Sequence, residues 1–124
     1  MISWFEIPVT DMDRAKKFYE TVFNVEVSIQ DFGGVLMGWF PPAEDITAPG
    51  ISGSLVKQKD YIPSATHGPV VYFNSQSGDI SDELGRIKEA GGEILQSKTL
   101  ISNEIGYMAL FLDSEGNRVA LYNK

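Results

Sequence analysis

The fold of this chain is decided by one stretch near its N-terminus, ISWFEIPVTDMDRAKKFYETVFN, residues 2–24. Apolar side chains alternate with others from residue 2 to residue 9, and this period of two predicts a β-strand. From Met12 to Phe23, apolar side chains recur at three- and four-residue spacing, which predicts an amphipathic helix. Thr10 is expected to cap the helix at its start, and Asn24 to end it in the left-handed conformation. A strand therefore runs through a short polar junction directly into a helix.

The two faces of this first strand differ in chemistry. Phe5, Ile7 and Val9 share one face, which is the apolar surface that a covering helix needs. Trp4 and Glu6 share the other face, where a carboxylate in an apolar strand is costly unless it is paired or hydrated. Three interpretations follow for Glu6: half of an ion pair between two parts of the chain, a general base or ligand-recognising group, or an exposed side chain.

Residues 25–57 predict three further strands. The turn at 31–34, Asp-Phe-Gly-Gly, indicates a hairpin that returns through residues 35–40. A loop at 41–50 contains prolines and an acidic pair that cannot continue a ladder, and a last strand follows at 51–57. The first half therefore has the order β-α-β-β-β.

The second half, about 67–124, repeats this order after a linker at about 58–66. A buried strand is expected at 68–74, then a helix that opens at Asp79, then three strands. Each unit is half of a single domain, since one such unit cannot bury its own apolar face. The expected class is α+β, with modules of about 1–57 and 67–124 whose helices cover the outer sheet faces and whose inner faces surround a cleft.

Composition limits the partners. The chain has 124 residues, no cysteine, and 17 acidic against 10 basic residues, for a net charge of −7. Thiol chemistry is excluded, and a nucleic acid or an anionic membrane would be repelled by this charge. No apolar run approaches the roughly 20 residues of a spanning helix, and the N-terminus lacks the pattern of a signal peptide. We therefore expect a cytoplasmic protein whose partner is a neutral or cationic small molecule.

Three motifs resemble the vicinal oxygen chelate superfamily of glyoxalases, bleomycin resistance proteins and extradiol dioxygenases. Residues 9–19, VTDMDRAKKFY, are similar to the family's V-x-D-x-x-R-A-x-x-F-Y signature, although Asn24 replaces the glycine that follows it. The others are Ala-Gly-Gly at 90–92 and FLDSEGNR at 111–118, which resembles a D-P-x-G-N turn with Ser114 in place of proline. The resemblance covers essentially the whole chain and is nearest to a branch described as glyoxalase-like. It implies the paired-module fold and a homodimer.

The resemblance also implies where a metal would bind. Metal-dependent relatives use four His, Gln or Glu ligands, two from each module. Counted along this sequence, those positions fall at Trp4, at Gly53 or Ser54, at Pro69 and at Ala120. None of these side chains is a ligand for a divalent metal, so we expect neither a metal nor a cofactor. The alternative is a site rebuilt from Glu6 and His67, the single histidine of the chain.

A small-molecule cleft is the resulting expectation. Aromatic walls with a few polar groups are typical of such sites, although aromatic residues in strands are also common core residues. Arg118 is expected on the cleft face of the last strand, where it could instead form an ion pair with Glu6. The predicted ligand-binding residues are Trp4, Glu6, Trp39, Ser54, Phe73, Arg118 and Tyr122, and Glu6 is the candidate catalytic residue.

Three functions fit these residues. The first is a metal-free, glyoxalase-like protein that binds a small organic ligand in the aromatic cleft. The second is a glyoxalase-like lyase or isomerase in which Glu6 moves a proton. The third is an interaction module of a larger assembly, which would have a closed cleft and bind no small molecule.

Overall fold

Two four-stranded sheets and two helices make up the computed structural model, which describes residues 2–41 and 51–124. The first half comprises β1 (Phe5–Pro8), α1 (Met12–Phe23), β2 (Ser28–Phe32), β3 (Val35–Trp39) and β4 (Gly53–Lys57). The second half comprises β5 (Tyr72–Asn74), α2 (Ile80–Ala90), β6 (Glu93–Ser102), β7 (Gly106–Leu112) and β8 (Arg118–Asn123). The β-α-β-β-β order of both halves is as predicted.

Each half builds its own mixed sheet. The strand orders are β1-β4-β3-β2 and β5-β8-β7-β6, with β1 parallel to β4 and β5 parallel to β8. The β2–β3 hairpin turns through Gly33 and Gly34, which have φ of 64° and 95°. Positive φ at both central positions of a two-residue turn favours glycine, so the predicted hairpin forms. The α+β class with two modules is confirmed.

Both modules contribute to one hydrophobic core. Ile7 of β1 and Val9, which directly follows it, are buried in the core, as the parity of this segment predicts. Phe18 of α1 is fully buried and lies 6.1 Å, ring to ring, from Phe111 of β7. Phe73 of β5 lies 4.7 Å from the ring of Phe23. The two modules therefore pair within one chain, a question that the sequence leaves open.

The junction between β1 and α1 is held by the second module. The Glu115 carboxylate, from the turn between β7 and β8, accepts hydrogen bonds from the backbone N–H groups of Thr10 at 2.9 Å and Asp11 at 2.8 Å. It also accepts one from Arg14 Nε at 2.6 Å. Because Thr10 is engaged by Glu115, Asp11 caps the helix by accepting from Arg14 N–H, and the prediction of Thr10 as the cap is wrong.

Some element boundaries also differ from the prediction. β5 begins only at Tyr72, since Gly68 has φ of 102° and Pro69 has no N–H to donate to a ladder. β6 extends to Ser102 because its pairing with β7 continues through bulges to the next hairpin. Most of the predicted loop at 41–50 lies outside the described residues. Within the described ranges, neither helix is long and apolar enough to cross a membrane.

Candidate functional site

The face of the first sheet that no helix covers, which we call the open face, carries the main candidate site. Successive side chains along a strand point to opposite faces of the sheet. In each strand, the residues on either side of a core-facing residue therefore point to the open face. Glu6 pairs in register with Ser54, and Ser54 pairs with Trp39, which places these three side chains in one row across β1, β4 and β3. Four of the predicted site residues therefore meet here: Trp4, Glu6, Trp39 and Ser54.

Aromatic rings form the wall of the open face. Trp4 and Trp39 meet edge to face, with ring centroids 5.7 Å apart and an interplanar angle of 71°. Phe32 stacks on the Trp39 ring at 6.0 Å and 21°. Trp4 is 40% exposed and Trp39 is 39% exposed, although apolar rings of this size are usually well buried. The rings therefore offer a continuous apolar surface to a ligand or a partner.

Glu6 is the carboxylate of this face, and its side chain is exposed. Its Oε1 accepts a hydrogen bond from the Tyr61 hydroxyl at 3.2 Å. This bond and the negative charge of Glu6 raise the pKa of Tyr61. Among the described residues Glu6 forms no ion pair, so the predicted pair with Arg118 is wrong within the chain. The reason is topological, because Arg118 begins β8 of the other sheet.

Ser54 is the unusual polar group of this face. It is 0% exposed, and its hydroxyl makes no hydrogen bond with any described residue. A buried hydroxyl normally has a partner, since leaving one unsatisfied costs about 1–3 kcal/mol. Val56, two residues further along β4, is also buried but does not belong to the core cluster. The centre of the open face is thus enclosed, and it contains an unused hydrogen-bonding group.

The other predicted site residues lie elsewhere. Phe73 faces the core, where it packs on Phe5 and Phe23, so its assignment to the cleft is corrected. The correction follows from register, because Phe73 pairs with the buried Leu121. Arg118 and Tyr122 both lie on the helix-free face of the second sheet.

Tyr122 is already engaged on that second face. Its hydroxyl donates to the backbone carbonyl of Ile105, in the hairpin between β6 and β7. Its ring remains partly exposed. Tyr122 therefore offers a ring, rather than a free hydroxyl, to anything that contacts the second sheet.

The residues at the implied metal positions do not suit a metal. Trp4 and Ser54 lie on the open face, Pro69 lies in the loop before β5, and Ala120 is fully buried. An indole, a single hydroxyl, a proline ring and a methyl group give no set of charged or imidazole ligands. In residues 2–41 and 51–124, no three His, Asp or Glu side chains come together in a way that could hold an ion.

The rebuilt metal site receives no support from the position of His67. This side chain is exposed in the loop before β5, and its Nδ1 lies 2.7 Å from the Thr66 hydroxyl. Glu6 is bonded to Tyr61 rather than to this histidine.

Sequence reasoning missed two residues of the open face. Tyr61 was part of the predicted linker, and its contact with Glu6 joins residues 55 positions apart. Phe32 was part of the predicted turn. The signal that could have placed it on the open face is its parity along β2, because Phe32 lies four residues from Ser28 and Ser28 pairs with Trp39.

Comparison with known proteins agrees with this architecture. The family model described as Glyoxalase/Bleomycin resistance protein/Dioxygenase superfamily matches residues 1–121. A "Glyoxylase-like domain-containing protein" of Didymella fabae is 29% identical over 125 residues, covering 97% of this chain and 91% of the relative.

Two solved structures of glyoxalase/bleomycin resistance proteins have the same fold as this chain. A glyoxylase/bleomycin resistance protein/dioxygenase domain from Frankia sp. EAN1pec has a TM-score of 0.73 at 13% identity, over 99% of this chain and 96% of that one. A glyoxalase/bleomycin resistance protein from Streptomyces sp. CB03234 has a TM-score of 0.69 at 21% identity, over 100% of both chains. At these identities the likeness concerns the fold alone.

Proposed function

The chain belongs to the glyoxalase/bleomycin resistance protein/dioxygenase superfamily, and we propose that it binds a small organic molecule on the open face without a metal ion. The observation that carries this proposal is the buried Ser54 hydroxyl, which has no hydrogen-bond partner among the described residues. It lies in register between the Glu6 carboxylate and the Trp39 ring. A hydrogen-bonding group, a charge and an aromatic surface are the three elements of a small-molecule site.

Each of these groups has a distinct role in binding. The Trp4 and Trp39 rings, at 71° to one another, form two walls of a corner that suits a flat apolar body. Glu6 accepts a hydrogen bond from a ligand donor. Because the Ser54 hydroxyl is 0% exposed, it bonds the ligand only after a neighbouring side chain of the open face moves aside, and that bond then relieves the cost of the unsatisfied hydroxyl.

The charge of the site favours a neutral or cationic ligand. Glu6 forms no ion pair in the described part of the chain, and the net charge is −7. An amine beside Glu6 would also lie near two indole faces, and indole is the best ring for cation–π attraction. The supported ligand class is therefore an aromatic or flat molecule that carries an amine or a hydroxyl.

We also propose that the chain forms a homodimer. Large apolar side chains are exposed on both sheets, such as Phe32 and Tyr72, each 54% exposed. If the open face of one copy meets the second sheet of the other, a two-fold axis repeats this contact and buries both faces. Sedimentation should give twice the chain mass of 13.7 kDa, and a mass of 13.7 kDa would contradict the dimer.

Intrinsic fluorescence tests the binding proposal. The chain has two tryptophans, Trp4 and Trp39, and both lie on the open face. Titration with phenethylamine, phenylethanol and phenylacetate should show saturable quenching by the amine, weaker quenching by the alcohol and none by the acid. Glu6→Gln should weaken amine binding by about tenfold or more, because hydrogen bonds to charged groups are worth about 1.5–3 kcal/mol.

A matched variant controls for general loss of negative charge. Glu89→Gln removes a carboxylate that is also exposed but lies on α2, which packs on the second sheet, and should leave the affinity unchanged. Equal affinity for the acid and the amine would contradict recognition by Glu6. Stoichiometric metal in the purified protein, with a lower melting temperature after EDTA treatment, would contradict the metal-free site.

The second candidate is a glyoxalase-like lyase or isomerase. The observation that favours it is the exposure of Glu6, whose carboxylate is bonded only to Tyr61 among described side chains and is available to accept a proton. Here Glu6→Gln should abolish turnover of a carbonyl substrate and leave binding largely intact. A variant that loses binding and turnover together supports the binding role instead.

A further inference from the structure

A second concave surface lies apart from the open face, at the rim of the first sheet where β1 and β4 end and β3 begins. This surface, which we call the rim groove, has a volume of about 530 Å³. Leu36, which is half-buried above the core residue Val9, forms its apolar part, and Lys57, Lys59 and Tyr61 line its edge. A volume of this size is in the usual range for pockets that hold small organic ligands.

The charge of the rim groove is opposite to that of the chain as a whole. Lys57 and Lys59 form no ion pair within the described residues. Four other basic side chains do pair with carboxylates: Arg14, Lys16, Arg86 and Lys98. Both lysines line the same groove, so a bound anion is attracted by two positive charges. The groove is therefore a local cationic site on an acidic protein.

We propose that the rim groove binds a small organic carboxylate with an apolar body. The lysine ammonium groups bind the carboxylate, and the Leu36 side chain and the apolar stems of the two lysines contact the apolar body. Inorganic anions gain only the first of these contacts, and uncharged apolar molecules gain only the second. This site is independent of the proposed function of the open face, since it uses other side chains and the opposite ligand charge.

Tyr61 connects the two surfaces. Its ring lines the rim groove, and its hydroxyl donates to Glu6 on the open face at 3.2 Å. Tyr61→Phe keeps the ring in the groove but removes the bond to Glu6. This variant should therefore alter the binding of amines at the open face.

Calorimetric titration with octanoate, at concentrations below micelle formation, tests the proposal. We expect saturable binding of one octanoate per chain in dilute buffer. Binding should weaken strongly between about 0.01 M and 1 M salt, over which the screening length falls from about 30 Å to 3 Å. Octan-1-ol and inorganic phosphate are the matched probes, and each should bind at least about tenfold more weakly because it lacks one of the two contacts.

Lysine variants locate the site. Lys57→Gln and Lys59→Gln should each weaken octanoate binding by about tenfold, and the double variant by more, because each ammonium contributes a charged hydrogen bond. Both side chains are exposed, so the variants should keep the wild-type melting temperature. Lys17→Gln removes an exposed lysine on α1, outside the groove, and should leave the affinity unchanged.

Three results would overturn the proposal. The first is that wild-type protein gives no saturable heat with octanoate, or that the double lysine variant binds it equally well. The second is that octan-1-ol or phosphate binds as tightly as octanoate. The third is quenching of tryptophan fluorescence by octanoate, because both tryptophans lie on the open face and quenching would place the ligand there. The first two results leave the proposal for the open face unaffected, whereas the third would also contradict the rejection of acids by that face.

Discussion

Two glutamates at opposite ends of the chain show how differently one side-chain type can be used. Glu115 lies in the turn between β7 and β8, where its side chain is 0% exposed and bonded to Thr10, Asp11 and Arg14. Glu6 lies on the open face, where it is exposed and accepts one hydrogen bond, from Tyr61. The carboxylate oxygens of Glu115 are occupied by hydrogen-bond donors of the protein. The carboxylate of Glu6 accepts one such bond and can still accept others from a ligand.

The electrostatic consequences follow from these contacts. Burial alone would raise the pKa of Glu115, but the hydrogen bonds from Arg14, Asp11 and Thr10 outweigh it and lower the pKa to about 2. A carboxylate that remains charged while buried stabilises the junction that it bridges. The comparison indicates that Glu115 serves the fold and that Glu6 is available for binding.

The largest expected effect is at Glu115. Glu115→Gln should lower the free energy of unfolding by about 3 kcal/mol, because it removes the charge that Arg14 and two backbone N–H groups share. Glu6→Gln is the matched variant and should change it by less than about 0.5 kcal/mol. Urea denaturation measures both values. Similar losses at the two positions would remove the distinction between a structural and a binding carboxylate.

Acidification should lower the free energy of unfolding, because the pKa of Glu115 is lower in the folded than in the unfolded protein. Because this pKa is lowered from 4.5 to about 2 on folding, the stabilisation is complete above about pH 4.5 and is lost as the pH falls toward 2. Between pH 7 and pH 3 this group alone should account for about 2 kcal/mol. Urea denaturation at several pH values should therefore show the wild type and Glu115→Gln converging on acidification. A constant difference between them would contradict the assignment.

A smaller loss is expected at the neighbouring buried bond. The Tyr19 hydroxyl, which is fully buried, donates to Asp113 at 2.7 Å. Tyr19→Phe should lower the free energy of unfolding by about 1.5 kcal/mol, because Asp113 loses a hydrogen bond in an environment that already raises its pKa through desolvation. Tyr72→Phe, at a tyrosine that is 54% exposed, is the control and should have little effect in thermal denaturation.

The smallest effect, with the opposite sign, is expected at Ser54. Ser54→Ala removes a buried hydroxyl that has no partner among the described residues, so the free energy of unfolding should stay constant or rise by up to about 1 kcal/mol. Amine binding at the open face should weaken in the same variant. A loss of stability above about 1 kcal/mol would show that the Ser54 hydroxyl has a hydrogen-bond partner in solution. It would then have no unsatisfied group to offer a ligand, which would contradict its role in the proposed site.

The sequence correctly predicted the order of strands and helices and the residues of β1 that lie on the open face. The parity of the first strand correctly placed Trp4 and Glu6 opposite the core, because the adjacent helix pattern identifies which face must be covered. The prediction of Phe73 as an aromatic wall of the cleft was wrong, since a short strand of mostly aromatic residues has no polar side to indicate its outer face. Its face is decided by pairing with Leu121 in β8.

By itself, then, the sequence determined the period-two and helical segments, their β-α-β-β-β order, the hairpin turn and the family, because each depends on residues that are close together along the chain. The tertiary structure alone decided that the modules share a core within one chain, that Glu115 reaches back 105 residues to Thr10, and that Glu6 pairs with Tyr61 rather than Arg118. These contacts depend on how the two sheets pack around the helices. The pattern of side chains along a strand or helix shows which of its faces is apolar. It does not show which element, distant in sequence, packs against that face.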